Sequence, residues 1–145
     1  MSLSNVFGIA GSAMTAQTIR LNTTASNMAN AESVSSSEGE TYRARRPVFA
    51  LQAPEASQLL AQDAALVPGQ GVKVLEIVES DAQLRMAYEP DHPAANEEGY
   101  VFYPNVNVME EMADMISASR SFQINADVMN TAKQMLQRTL SLGQS

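Results

Sequence analysis

Residues 107–140 read NVMEEMADMISASRSFQINADVMNTAKQMLQRTL. A stripe recurs through them in alternating steps of four and three: Val108, Met112, Met115, Ser119, Phe122, Ala126, Met129, Lys133, Leu136 and Leu140. Such a/d spacing marks a helix that packs lengthwise against other helices. Asn107 stands at its start with Glu110 three residues later, an Asn-x-x-Glu version of the capping box. Glu110, Glu111 and Asp114 suit the positive end of the helix dipole, Lys133 and Arg138 lie near the other end, and Gly143 is placed to terminate the helix.

The opposite end of the chain repeats the pattern. Leu3, Phe7, Ala10, Met14, Gln17, Leu21, Thr24, Met28 and Ala31 form a second stripe, with Ser2 or Ser4 as N-cap and no proline in the segment. Gly8 and Gly11 each cost roughly 1 kcal/mol in a helix interior; their spacing either admits a close neighbour or marks a weak helix start. Through Ala31 the only charged side chain is Arg20. A lone helix of this length is marginal in water, so its stability must come from packing.

The 145 residues are enough for one domain. Acidic residues number 16 against 9 basic ones, with a pI near 4.6, and this argues against a nucleic-acid partner. Absence of cysteine removes disulfides, thiol nucleophiles and thiolate metal sites. The N-terminal stretch lacks a basic region and an unbroken apolar core, so it does not read as a secretory signal. No stretch approaches the ~18 apolar residues of a membrane span.

Between the stripes the pattern changes. Glu32 to Thr41, with four serines and a glycine, reads as an exposed loop. Tyr42 to Leu51 reads as extended, with Pro47 making it an edge strand or splitting it. Ala53 to Pro68 is open between a short helix and an alanine-rich loop. Gly71 to Glu79 reads as a buried or half-buried strand, and Leu84, Met86 and Tyr88 alternate with Arg85 and Ala87 as a half-exposed one. Glu89 to Pro93 is a turn, and Tyr100 to Tyr103 is a short strand that closes a small sheet.

Two amphipathic helices suggest an intramolecular antiparallel hairpin. Yet Val6, Ile9, Ala13 and Ala16 run beside the first stripe, and Ile124, Val128, Ala132 and Met135 beside the second. This arc is wider than one partner helix needs, and large apolar patches mark contact sites. Gln17, Thr24, Ser119 and Lys133 are either register markers along the stripes or chance polar substitutions. Nine methionines suit adaptable contacts or simple core filling.

Catalytic chemistry finds little support. His92 is the only histidine, beside Asp91 and Pro93, and reads as a loop residue. The pairs Glu79 with Asp81 and Glu97 with Glu98 would work as acid and base only inside an enclosed pocket. Arg43, Arg45 and Arg46 form the one basic cluster, expected to pair with nearby carboxylates. The acceptor pattern Asn22-Thr23-Thr24 falls inside a helix and is read as accidental. No catalytic residue, cofactor or metal site is expected.

Ser12-Ala13-Met14, then Leu21-Asn22 and Ala25 through Ala31, resemble the N-terminal signature of bacterial flagellar rod and hook proteins. Tyr42-Arg43-Ala44-Arg45, Gly71-Val72-Lys73-Val74, His92-Pro93, Gly99-Tyr100-Val101 and Tyr103-Pro104-Asn105-Val106-Asn107 narrow the resemblance to the proximal-rod members of that family. Glu110-Glu111-Met112, Ser119 through Gln123, and Asn125-Ala126 extend it along the last helix. Departures lie in Ser33 to Ser37 and Glu89-Pro90-Asp91.

The resemblance implies a non-enzymatic building block of the flagellar rod, a drive shaft whose wall encloses an export channel. It implies export by the flagellar type III apparatus without a cleaved signal. Partners would be other copies, other rod proteins and an adaptor at the membrane ring and export gate. The expected fold is α+β, with residues 1–31 and 105–145 as core helices in an antiparallel coiled coil and 32–104 as a loop and small β-rich region. Expected assembly residues are Leu3, Phe7, Ala10, Met14, Leu21, Met28, Met112, Met115, Phe122, Ala126, Met129, Leu136 and Leu140. Asn27 and Asn30, on one face, are candidates for hydrogen bonds that fix register between subunits; ending the helix is the alternative. A soluble coiled-coil adaptor or chaperone that binds amphipathic helices is the competing reading.

Overall fold

The computed structural model describes residues 3–52 and 71–142, with side chains from Asn5 onward. The readings placed on Ser2, on 53–68 and on Gly143 lie outside the described residues. Helix α1 spans Leu3–Ala29 and α2 spans Val108–Leu142. Between them lie strands β1 (Arg45–Gln52), β2 (Gly71–Glu79), β3 (Arg85–Tyr88) and β4 (Tyr100–Tyr103). The composition is α+β, as the sequence indicates.

Local chemistry marks the end of α1 and the start of α2. Ser4 lies inside α1 and so is not its N-cap. At the other end the Asn30 side chain donates to Ser26 O at 2.8 Å, while Asn30 N–H reaches both Ser26 O and Asn27 O, satisfying carbonyls of the last turn. For α2, Asn107 Oδ1 accepts the Met109 N–H at 3.1 Å, an N-cap bond. The Glu110 carboxylate faces Arg46 at 3.8 Å, so only the Asn107 half of the expected capping box is seen.

Low-numbered residues of α1 lie beside high-numbered residues of α2. Arg20 pairs with Asp114, and Val6 shares a groove with Ile124, Val128 and Met135. The sequestered residues of α2 are Glu111, Ala118 and Ala132, a heptad line with half-buried Asn125 between the alanines. That line runs one residue ahead of the expected Met112, Ser119, Ala126 and Lys133. Met115, Phe122, Met129 and Leu136 flank it and are half-buried. On this line Ala118 and Ala132 let α1 approach closely, whereas Met112 and Lys133 of the neighbouring line stay exposed.

The middle region departs from the expected single sheet. β1 and β2 form one antiparallel ribbon, Arg45 opposite Glu79 and Gln52 opposite Gly71, with an irregularity between Val48 and Phe49. β3 and β4 form a second, Arg85 opposite Tyr103. Pro47 is tolerated because a two-stranded ribbon has only edge strands. The first ribbon lies on α1, and Ser12 marks the contact: its hydroxyl donates to Ile9 O and accepts the Val72 N–H at 3.1 Å. A side chain at Gly71 would collide with that hydroxyl.

Two burial expectations fail. β2, expected buried or half-buried, is half-buried only at Gly71, Val72 and Val74, with Leu75, Ile77 and Val78 open to solvent, because a ribbon lying on a helix covers only one face. In β3, Met86 and Tyr88 are exposed and Ala87 is half-buried, the inverse of the expected alternation. Leu84 turns inward before the strand begins, and one residue of offset moves each following side chain to the other face.

Among the described residues, the buried apolar set is Ala10, Ala16, Ala31, Ala44, Leu84, Val101, Ala118 and Ala132. Six of these are alanine. Many large apolar side chains, among them Met109, Ile116, Ile124, Met135 and Leu140, are exposed.

Candidate assembly surface

Polar clamps hold the subunit together and define what remains free on its surface. Asn27, 1% exposed, donates through Nδ2 to Arg45 O at 2.9 Å and accepts the Arg45 N–H at 2.9 Å and the Tyr42 hydroxyl at 3.0 Å. Asn105 accepts the Ala44 N–H at 2.8 Å and donates to Ser80 O and Ala82 O. Together they tie the end of α1, the start of β1 and the approach to α2. The Asn27 amide is thus engaged within the chain, and the Asn30 Nδ2 closes the last turn of α1.

Charge is likewise spent internally. Arg43 pairs with Glu38 and donates to Ser80 O and Ala82 O. Arg45 pairs with Glu79 at 3.1 Å and lies over the Tyr42 ring; Arg46 reaches Glu110 and Asp114. Glu111 is buried, and Arg20, Arg45, Arg46, Thr24 and Asp114 line the same pocket. A buried carboxylate requires such cationic surroundings. The arginine cluster thus pairs with carboxylates, as expected.

In the second ribbon Arg85 stacks on the Tyr103 ring at 4.5 Å, and the Tyr103 hydroxyl donates to Glu89 at 3.2 Å. Desolvation, then that hydrogen bond, push the phenol above its ordinary range. His92 Nδ1 accepts the Ala94 N–H in its turn. Among the described residues no group of acidic or histidine side chains is arranged to hold a metal, and no helix is long and apolar enough to cross a membrane.

The expected assembly residues separate by exposure. Met112 and Leu140 are exposed; Phe7, Met14, Leu21, Met28, Met115, Phe122, Ala126, Met129 and Leu136 are half-buried; Ala10 is buried. Nothing is described of the Leu3 side chain. Further apolar surface comes from residues outside that set. Val6, Ile124, Val128, Ala132 and Met135 line an open groove of about 410 Å³ along the two helices. Met109 and Ile116 stand out elsewhere on α2. Their seven-residue spacing is legible in the sequence, but it lies off the stripe through Val108 and Met112. The exposed Leu75 and Ile77 were concealed by the continuous apolar run of β2.

Residues 7–34 match the flagella basal body rod protein family, and residues 97–142 match the C-terminal region of flagellar basal body rod FlgEFG proteins. Over 99% of its length the chain is 49% identical to the flagellar basal-body rod protein FlgC of Escherichia coli O6:H1, covering all of that protein. The chain belongs to the FlgC family. The FlgC of Salmonella typhimurium is 48% identical over the same share of this chain, and that of Bacillus subtilis 35%, covering 99% of the relative. As a FlgC-family member the chain is a structural, non-enzymatic subunit of the flagellar basal-body rod. The residues that carry the resemblance in the sequence also knit the fold: Ser12 to Val72, Asn27 to Arg45, and Asn105 to Ala44.

Proposed function

We propose that this subunit builds the proximal part of the rod by burying, against neighbouring subunits, the apolar surface it cannot bury alone. The observation that carries this is the inversion of side-chain size: alanines fill the interior while methionine, isoleucine and leucine face outward along α2. Exposed apolar surface of this extent marks contact sites.

In this reading α1 and α2 pair as an antiparallel coiled coil, and residues 1–31 and 105–145 form the inner core around an export channel. Residues 32–104 lie outside it and give the subunit its particular contacts. Phe7, Met14, Leu21, Met28, Met112, Met115, Phe122, Ala126, Met129, Leu136 and Leu140, with Leu3, supply the interface; Ala10 supports it from beneath. Neighbours are other copies and other rod proteins stacked helically, with an adaptor at the membrane ring and export gate below. Export proceeds through the flagellar type III apparatus without a cleaved signal. Ordering of the nearly uncharged α1 then accompanies assembly.

Phe7→Asp tests this reading. The variant is expected in soluble form and to leave a deletion strain non-motile, because a carboxylate on the half-buried Phe7 position opposes packing with a neighbour. Normal motility on complementation would overturn the proposal.

A further inference from the structure

We propose that Met109 is a modification site: a peroxide converts its thioether to the sulfoxide before the subunit joins the rod, and the oxidised subunit fails to assemble. The inference deepens the rod-subunit reading and rests on it.

The fold sorts the methionines by access. Among the described residues Met14, Met28, Met115 and Met129 are half-buried, whereas Met112, Met135, Met86 and Met109 are 47%, 56%, 57% and 75% exposed. Met135 lies in the groove with Val6, Ile124 and Val128, and Met86 stands opposite Phe102 across its ribbon. Met109 has the largest open fraction of the set.

Its place in the chain lets the sulfur react while the fold stays intact. Asn107 Oδ1 accepts the Met109 N–H at 3.1 Å, so the backbone is held in the first turn of α2 while the side chain is open to solvent. Met115 and Met129, beside the seam with α1, are shielded on one side. In the reaction a sulfur lone pair attacks one oxygen of hydrogen peroxide, and the O–O bond breaks as the S–O bond forms. The proton on that oxygen passes to the departing hydroxide, leaving sulfoxide and water; sulfur is oxidised and the peroxide reduced.

Oxidation turns a flexible apolar side chain into a polar one. Ile116, 70% exposed, lies about two turns further along the same flank of α2, so Met109 belongs to an apolar strip. A sulfoxide oxygen there costs free energy to bury unless a donor meets it. The chain offers no cation for this: Arg46 is engaged by Glu110 and Asp114, and Arg120, the first cation along α2, lies about 16 Å further along the axis.

The soluble full chain is treated with dilute hydrogen peroxide, and fragment-ion mass spectrometry follows each methionine. Met109 is expected to gain oxygen several-fold faster than Met115 or Met129; equal rates overturn the inference. Basal bodies are then purified from a deletion strain making the unmodified chain or Met109→Leu, with and without a peroxide pulse during rod growth. Incorporation of the unmodified chain is expected to fall several-fold on treatment, while that of Met109→Leu holds at its own untreated level. An equal fall in both, or no fall in either, overturns the inference. Met109→Gln sets an amide where the sulfoxide would stand, and in untreated cells it is expected to be incorporated several-fold less than Met109→Leu, with matching thermal melts. Equal incorporation of the two, or a deficit that follows a lower melt, overturns the inference as well. Absence of the unmodified chain from untreated basal bodies overturns the rod-subunit reading instead.

Discussion

Asn27 grips both faces of the Arg45 peptide unit, giving its amide hydrogen to Arg45 O and its oxygen to Arg45 N–H, each at 2.9 Å. One side chain on α1 thereby fixes where β1 begins, and the Tyr42 hydroxyl bonds to the same oxygen. The asparagine is almost fully buried, so water cannot take its place. Asn27→Ala is expected to lower stability by about 3 kcal/mol, since several buried groups lose their partners. Asn27→Asp should cost as much, because it sets a carboxylate oxygen against Arg45 O. Denaturant melts of both variants check this, and a stable Asp variant would contradict it.

The seam between the helices runs through Ala118, which has no exposed surface. Ala118→Leu should destabilise the subunit by about 2 kcal/mol through overpacking. One residue on, half-buried Ser119→Leu should cost less than about 1 kcal/mol. If thermal melts show the reverse order, the seam follows the Met112, Ser119, Ala126 line instead.

Arg20 is the sole charge on α1, and its guanidinium meets Asp114 with both side chains about one-third exposed. A double-mutant cycle on Arg20→Ala and Asp114→Ala should give a coupling of about 0.5–1 kcal/mol. Added salt should reduce it. Asp114→Ala should be the more damaging single change, because Asp114 also faces Arg46 at 4.0 Å. Equal single effects with no coupling would show that the pair contributes nothing.

Gly99 has φ of +82°, and a Cβ there would lie 2.9 Å from the Tyr88 ring edge and 3.2 Å from Pro90. Gly99→Ala should therefore cost about 1–2 kcal/mol from backbone strain alone, with the Tyr88 contact adding to it. The edge-to-face packing of Tyr88 on Tyr100, with ring centroids 5.2 Å apart, should loosen at the same time. Near-ultraviolet circular dichroism and a thermal melt report both effects, and an unchanged melt would refute the expectation.

Much of this architecture is written in the chain itself. The heptad spacing from Val108 to Leu140 and from Leu3 to Ala31 gives two helices that must pack, and the turn residues between them delimit four short strands close to where they occur. Three to four residues per turn and two per strand pleat are local properties, so sequence periodicity reports them directly. Tertiary structure decided which of two adjacent heptad lines became the seam, selecting Ala118 and Ala132 over Met112 and Lys133. It also decided that Asn27 would grip the Arg45 peptide unit, and that β2 would be open on one side. Periodicity cannot make these choices, because an apolar residue facing its own chain and one awaiting another subunit look alike in sequence. Only the size and hydrogen-bonding needs of the groups that meet across the fold tell them apart.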